Sequence, residues 1–415
     1  MGANTTTVIR AGRLIDTTAG EVRRAQAIVV RGERIESVGP DEGRYPEGAR
    51  VVDLSAHTVT PGLIDAHAHL IGEEDSGEYA SLLMRTGAQE ALSGVWNARR
   101  TVMAGFTTVR DVGTFRAFAD VALREAIETG WTPGPRMQCA GAYVTVSGGG
   151  GDIPPVAPDV VIPRELRFGV ANSADEVRQR VREILHGGAD LIKIIATGAV
   201  MTRGTNPGAP EFTEAEIRAA VEDAALYGAF VAAHAHGAEG IKRAVRAGVR
   251  SIEHGSLMDD EAIDLMAERG TYLVADIYCG DHIASAGRER GWSEEILRKN
   301  DETTEAQREG FAKAVKAGVR IAFGTDSGIY PHGENAKQLP YMARHGMTPM
   351  QAVQSATSVA AELMGWQERV GSIEAGKLAD LIAVPGDALE DLERFMEVAF
   401  VIKGGAVLKD IGGLP

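Results

Sequence analysis

Pro61-Gly-Leu-Ile-Asp-Ala-His-Ala-His-Leu70 is an apolar run that ends in two histidines spaced i, i+2. On a β-strand, positions i and i+2 share a face, so this run read as a strand aims the His67 and His69 imidazoles at one point in space. That is a metal-ligand geometry. The pair gains meaning only from further ligands elsewhere in the chain.

Downstream of it, strand-like apolar runs alternate with helical ones, the pattern of βα units around a parallel sheet. The strand candidates are Gly62 to His67, Thr107 to Val112, Arg136 to Tyr143, Leu191 to Ala196, Phe230 to Ala235, Arg250 to His254, Tyr272 to Ile277 and Arg320 to Thr325. Eight in alternation is the count of a closed (β/α)8 TIM barrel, here over 61–365. Ala104-Gly105, Ala247-Gly248 and Ala317-Gly318 each lead into Phe or Val and then a strand. Glycine fits just past a helix C-terminus because it tolerates positive φ. Capping boxes open several helices, among them Ser173 with Glu176, Thr213 with Glu216 and Thr348 with Gln351.

The flanks have another texture. Thr7 to Arg10, Ala27 to Val30, Arg34 to Val38, Arg50 to Leu54 and Thr58 to Thr60 read as short strands, with Arg31-Gly32-Glu33 as a turn. Ala379 to Val384, Val398 to Lys403 and Ala406 to Leu408 repeat the texture after the barrel. Residues 1–60 and 366–415 are therefore expected to form one small β-sandwich from both chain ends, two independent caps being the alternative.

Composition narrows the function. The 415 residues suit a barrel plus a smaller domain, and 43 Lys plus Arg against 58 Asp plus Glu give a formal charge of -15. A polyanionic partner such as nucleic acid or an anionic membrane is disfavoured. No apolar run reaches membrane-spanning length and no signal-peptide pattern opens the chain, so a cytoplasmic location is expected. Met1-Gly2-Ala3-Asn4-Thr5-Thr6 matches a myristoylation pattern, but no polybasic segment or second anchor accompanies it. Cys139 and Cys279 lie far apart and read as buried, reduced thiols.

In a barrel of this kind the active site lies where the strands end and the βα loops gather. Five of the ten histidines fall at predicted strand ends: His67 and His69 at the first, His234 and His236 at the fifth in Ala232-Ala-His-Ala-His-Gly237, and His254 at the sixth in Ser251-Ile-Glu-His-Gly255. Asp111 ends the second strand, Asp326 the eighth, and Lys193 lies inside Leu191-Ile-Lys-Ile-Ile195. Each has a bland reading. Asp326 could cap a helix, His254 could be a hydrogen-bonded core residue, and Lys193 could pair with Asp111. Lys193 resists that reading most, since an ammonium in an apolar strand is desolvated unless paired. The sharper reading makes it a carbamate, formed with carbon dioxide, that bridges two metal ions.

Together these residues resemble the amidohydrolase superfamily, specifically its binuclear members with a carbamylated lysine, over nearly the whole length. Ala232-Ala-His-Ala-His-Gly237, Ile252-Glu-His-Gly255 and Gly324-Thr-Asp-Ser-Gly-Ile-Tyr-Pro-His-Gly-Glu-Asn335 are similar to the imidazolonepropionase-like branch. That branch includes Xaa-Pro dipeptidases, related carboxypeptidases and enzymes that cleave the phenylalanine amide of ochratoxin-type mycotoxins. The resemblance implies two divalent ions, expected to be zinc, with His67, His69 and Asp326 on the more buried one, His234 and His254 on the more exposed one, and Lys193 bridging. It further implies a shared hydroxide as nucleophile, the exposed ion polarising the carbonyl, and Asp326 as general base turned acid. His236 is then a substrate contact for a product-side carboxylate, or the fifth-strand ligand in place of His234.

One departure follows the third strand. Several peptidase relatives carry TGGHGD where this chain reads Ser147-Gly-Gly-Gly-Gly-Asp152, with Gly150 at the histidine position. Carbonyl polarisation by that ring and the associated proline preference therefore do not carry over. Three long loops are expected to shape the pocket: Thr145 to Gly169, Gly198 to Phe212 with Arg203, and Cys279 to Asn300 with His282 and Arg288. Arg203, Arg288 and His332 are candidates for binding a substrate carboxylate, with Tyr143 and Tyr278 as hydrogen-bonding alternatives. The expected partner is a small N-acyl amino acid or dipeptide. A cyclic amide hydrolase or a non-catalytic barrel are the alternatives, and a homo-oligomer, an octamer among the options, would suit the branch.

Overall fold

The computed structural model describes residues 6–72, 80–153, 156–157 and 159–410; residues 1–5 of the N-terminal hexapeptide lie outside them. Strands β1 (Thr6–Asp16), β2 (Glu21–Arg31), β3 (Arg34–Pro40) and β4 (Arg50–Pro61) open the chain. The barrel follows with β5 (Leu63–Ala68), β6 (Phe106–Asp111), β7 (Arg136–Cys139), β8 (Tyr143–Val144), β9 (Ile192–Ile195), β10 (Val231–Gly237), β11 (Ser251–Leu257) and β12 (Tyr272–Val274). β13 (Leu381–Pro385), β14 (Phe400–Lys403) and β15 (Ala406–Asp410) end it.

Both chain ends share one seven-stranded sheet in the order β15-β14-β13-β4-β1-β2-β3. Alternation buries one face of it, where Ile9, Ile28, Val52, Leu381, Phe400 and Ile402 join one apolar cluster. The sheet rolls back on itself: Ile35 N donates to Lys377 O at 2.9 Å and Ala379 N to Glu33 O at 2.8 Å, so the β3 edge meets the segment entering β13. This edge-to-edge contact covers backbone groups that would otherwise template association.

In the barrel, parallel pairing runs β5-β6-β7 in one sheet and β8-β9-β10-β11-β12 in another. The predicted third strand is kinked into β7 and β8, and the kink carries it from one sheet to the other. The predicted eighth strand makes only isolated bridges. Its backbone still joins both neighbours: Leu273 N donates to Arg320 O at 2.9 Å, Ala322 N to Leu273 O at 3.0 Å and Ala66 N to Phe323 O at 2.9 Å. Side chains break the ladder after that point. Asp65 takes the Thr325 amide at 3.2 Å, and Gln338 donates to Gly324 O. A Cβ at Gly324 would sit 2.3 Å from Val274 Cγ1 and 2.7 Å from His67 Cβ, so this approach of strand eight to strand one requires glycine.

The segment expected as a long loop over Cys279–Asn300 is instead helical, over Cys279–Arg290 and onward through Glu294–Lys316. Gly291 at φ 72° ends the first helix, and Ser293 caps the second by accepting from Ile296 N. Buried Trp292 and Ile296 fold this hairpin over the barrel mouth. Cys279 therefore starts a helix and Cys139 ends β7; both are free and buried. Among the described residues no helix is long and apolar enough to cross a membrane.

Phe323 stacks on Phe106 at 5.5 Å between ring centroids, and neither ring is exposed. Phe323→Ala should lower stability by about 3–5 kcal/mol through the cavity it leaves where the barrel closes. A urea unfolding midpoint within error of the parent would contradict this.

Candidate metal centre and active site

Strand register brings the ligand candidates level. Lys193 on β9 pairs with Ala232 on β10 and Tyr143 on β8. His234 pairs with Glu253 and Ala235 with His254. Neighbours on a regular strand face opposite sides, yet both Glu253 and His254 serve the centre. The reason is local: His254 has φ 71° and Asp326 has φ 57°, left-handed values rare for residues with a Cβ. Each such residue costs roughly 1–3 kcal/mol and persists where packing and hydrogen bonds enforce it.

Among the described residues three groups of potential ligands result, one of them Asp276, Cys279 and Asp326. His234, His236 and His254 offer ring nitrogens within 4.8 Å of one another, and so do His67, His254 and the Asp326 carboxylate. Asp326 Oδ1 lies 3.5 Å from His67 Nε2 and 3.3 Å from His69 Nε2. Burial alone would raise its carboxyl, but these two imidazoles hold it well below the usual carboxylate range.

Each imidazole has its other nitrogen occupied, which fixes the one it presents. His67 Nδ1 donates to Glu253 Oε2 at 2.8 Å. His69 Nδ1 donates to Gly113 O at 2.7 Å, where the Tyr143 hydroxyl also donates at 3.0 Å. His254 Nδ1 donates to Asp276 Oδ1 at 3.0 Å, a carboxylate steadied by Gln307 at 2.8 Å. His236 Nδ1 is held by Ser256 Oγ at 2.8 Å. His234 differs, since its Nε2 faces Gly198 O at 3.3 Å, leaving Nδ1 as the lone-pair nitrogen. Burial and neighbouring His254 push His234 down, and His236 down to about 3, so both stay neutral as ligands must.

Lys193 sits among them, 2% exposed, and its Nζ has no hydrogen-bond partner. Pairing with Asp111 is not seen: that carboxylate accepts from Leu70 N at 2.8 Å and Gly113 N at 3.1 Å. Burial, with the Arg110 charge nearby, lowers the Lys193 ammonium to about 8 against the pull of Glu253 and Asp326. Glu253 is already committed, for Arg110 Nη2 donates to its Oε1 at 2.8 Å and both side chains are fully buried. Burial would raise Glu253, but Arg110 and His67 keep it ionised far below the carboxylate range.

These groups line one cavity of ≈ 270 Å³. His67, His69, Lys193, His234, His236, His254, Asp326 and Tyr143 all reach it. Arg203 and His332 do not. Arg203 and Arg288 are exposed, and Arg288 is turned to Ala284 O at 3.0 Å and Asp301 at 3.5 Å. His332 is buried behind His69, its Nε2 donating to His69 O at 3.0 Å and its Nδ1 facing Ser327 Oγ at 3.2 Å. A carboxylate contact at either was expected from residue type alone, and strand ends gave no guide to loop positions this far downstream. Gly150 lines the cavity, but a Cβ there would meet Ala199 N, Ile195 Cγ2 and Thr197 O, each at 3.1 Å. No side chain fits at 150 without a backbone shift.

Sequence reasoning did not single out Arg110, Glu253, Asp276 or Gln307. The one available signal was the pair Glu253-His254, where alternation should have sent one of two polar residues into the barrel wall. Glu253→Gln should weaken metal retention by about 10- to 100-fold, as loss of an outer partner does at such sites. Competition with a chelator on protein of unchanged circular dichroism would measure it, and unchanged retention would remove Glu253 from the centre.

A family model described as the amidohydrolase family matches residues 58–408. The chain is 35% identical over 431 residues to ochratoxinase of Aspergillus niger, covering 98% of this chain and 87% of that protein. It is 26% identical to imidazolonepropionase of Symbiobacterium thermophilum, covering 98% and 97%. A crystal structure of an Xaa-Pro dipeptidase with bound methionine in the active site superposes with a TM-score of 0.92 at 40% identity, covering 98% of this chain and 100% of the other. By sequence, by fold and by extent, the chain belongs to the amidohydrolase family.

Proposed function

We propose that this amidohydrolase cleaves the C–N bond of N-acyl amino acids or dipeptides, ochratoxin-type amides among them. The observation that carries the reading is the buried, unpartnered Lys193 amine amid neutral imidazoles and an ionised Asp326. An amine in its uncharged form adds to carbon dioxide, forming an N–C bond and releasing a proton, and the resulting carbamate has two oxygens for two cations. The donor set fits: imidazole nitrogens with fixed tautomers plus carboxylate oxygens suit zinc. His67, His69 and Asp326 would hold one ion, His234 and His254 the other, with carbamylated Lys193 between them. His234 rather than His236 is the fifth-strand ligand in this reading, because its Nδ1 is turned from Gly198 toward the cluster.

Two such ions, when bound, supply Lewis acidity that makes water acidic and polarises the scissile carbonyl. Asp326, kept ionised by His67 and His69, accepts a proton from the attacking water on a carboxylate oxygen and returns it to the departing amine nitrogen. His236, neutral and oriented by Ser256, turns its Nε2 edge to the carboxylate on the amine side of the substrate. Trp292 and the hairpin around it exclude water above the centre. The likeness to ochratoxinase and to the dipeptidase supports an amide whose amine half is an amino acid.

Chelation should abolish hydrolysis of a panel of N-acyl amino acids, Xaa-Pro dipeptides and a cyclic amide, and zinc with bicarbonate should restore it. Native mass should include one carbon dioxide, absent from Lys193→Ala along with most of the metal. Hydrolysis that survives full metal removal would sink the reading. Because the uncharged amine is the reactive form and burial lowers Lys193 to about 8, reactivation of chelated protein by zinc, with dissolved carbon dioxide held constant at each pH, should quicken from pH 7 and level off above about 8. A rate independent of pH over that interval would exclude Lys193 as the carbon dioxide acceptor.

A further inference from the structure

Among the described residues two guanidinium groups line the cavity, those of Arg85 and Arg116. Arg85 donates from Nε to Glu90 Oε1 at 3.0 Å, so that cavity carboxylate is neutralised where it stands. Arg116 is differently placed. Its Nη2 donates to Arg85 O at 2.9 Å and Leu82 O at 3.3 Å, which anchors one corner of the group. Its Nη1 has only a 3.7 Å contact with Glu165, a side chain 52% exposed, and its Nε is buried with no acceptor. Nη2 is spent on the two carbonyls and Nε is shut away in the protein, so Nη1, whose contact with Glu165 is long, is the donor left for an anion.

Its position relates it to the chemistry. Phe115, the preceding residue, packs on Tyr143 at 5.1 Å, and Tyr143 packs on His69 at 5.9 Å. Arg116 therefore stands on the loop after the second barrel strand, two ring contacts from the ligand cluster. His236 and Ser256 end the fifth and sixth strands. In a ring of eight, the second strand faces the sixth, so Arg116 and the His236–Ser256 pair oppose each other across the mouth.

We infer that Arg116 is an anion receptor for the acyl half of the substrate, and that the preferred substrates are dianionic amides: N-acyl amino acids whose acyl chain itself ends in a carboxylate. The inference rests on the proposed amide hydrolysis with the amine-side carboxylate at His236. An amide spanning the mouth from that side directs its acyl chain toward Arg116, where a terminal carboxylate meets Nη1. A neutral acyl chain of equal length would desolvate Nη1 without offering it an acceptor, which disfavours binding.

The test compares N-glutaryl-phenylalanine with N-pentanoyl-phenylalanine on the zinc-loaded protein, by kcat/KM and, independently of turnover, by calorimetric binding. The glutaryl compound should be favoured by about ten- to a hundredfold, the range of one hydrogen-bonded ion pair. In Arg116→Gln that ratio should fall toward one, and Arg116→Lys should restore it in part. Arg116 also braces Leu82 and Arg85, and a purely structural role would lower both compounds together and leave the ratio intact. A ratio near one in the parent, or one that Arg116→Gln does not move, overturns the inference while leaving amide hydrolysis standing. Absence of turnover on both compounds with the binding ratio preserved would instead overturn the hydrolase reading and keep the receptor.

Discussion

The ion pair between Arg110 and Glu253 is the interaction on which the centre depends. Arg110 reaches from the second barrel strand to the sixth, donating also to Ala66 O at 2.6 Å and Ser251 Oγ at 3.1 Å, so it crosses the barrel interior beneath the ligand cluster. A buried pair of this sort adds little net stability, while removing one partner strands a charge at about 3–5 kcal/mol. Its value lies in what it commits. Glu253 fixes the His67 ring through Nδ1 and is unavailable to Lys193, whose amine is left without a partner although a carboxylate lies close by.

The same division of charges recurs around the cluster. Asp276 is taken up by His254 and Gln307, and Asp111 by the amides of Leu70 after strand one and Gly113 after strand two. Asp65, fully buried and raised to about 6 by desolvation, accepts from Thr325, Asn335 and the His67 amide, tying strand one to strand eight. Every carboxylate near the centre except Asp326 thus has a structural engagement. Asp276 and Asp326 both line the cavity with carboxyls lowered by histidine neighbours, but Asp276 is tied to His254 and Gln307, which leaves Asp326 as the candidate for the proposed proton acceptor.

Two of the candidate ligands are held on left-handed backbone. His254 and Asp326 gain from that geometry a departure from strand alternation, and their strain is offset by hydrogen bonds from neighbouring elements: Gln307 to His254 O, and Asp326 N to His67 O. The helical hairpin above them supplies Gln307, Thr303 and Trp292 to the cavity. A segment that reads as a loop in sequence, because Gly287, Gly291 and scattered charges break its apolar period, becomes the roof of the site once Ser293 caps its second helix.

The sequence by itself pointed to the barrel, to a small β domain drawn from both chain ends, and to the set of residues at the strand ends, because strand and helix periodicity are local and an active barrel collects polar groups at strand C-termini. His67, His69, Lys193, His234, His236, His254 and Asp326 could be picked out for that reason. The expected sandwich is in the structure one rolled sheet of seven strands. Only the tertiary structure decided which nitrogen each histidine presents, that Lys193 has no partner, that His332 is packed behind His69, and that Arg116 rather than Arg203 or His332 reaches the cavity. Those outcomes depend on contacts between residues from 20 to 263 positions apart, such as His236 with Ser256 and His332 with His69. No local pattern encodes which loop of eight bends inward, since that is set by what each loop meets across the mouth.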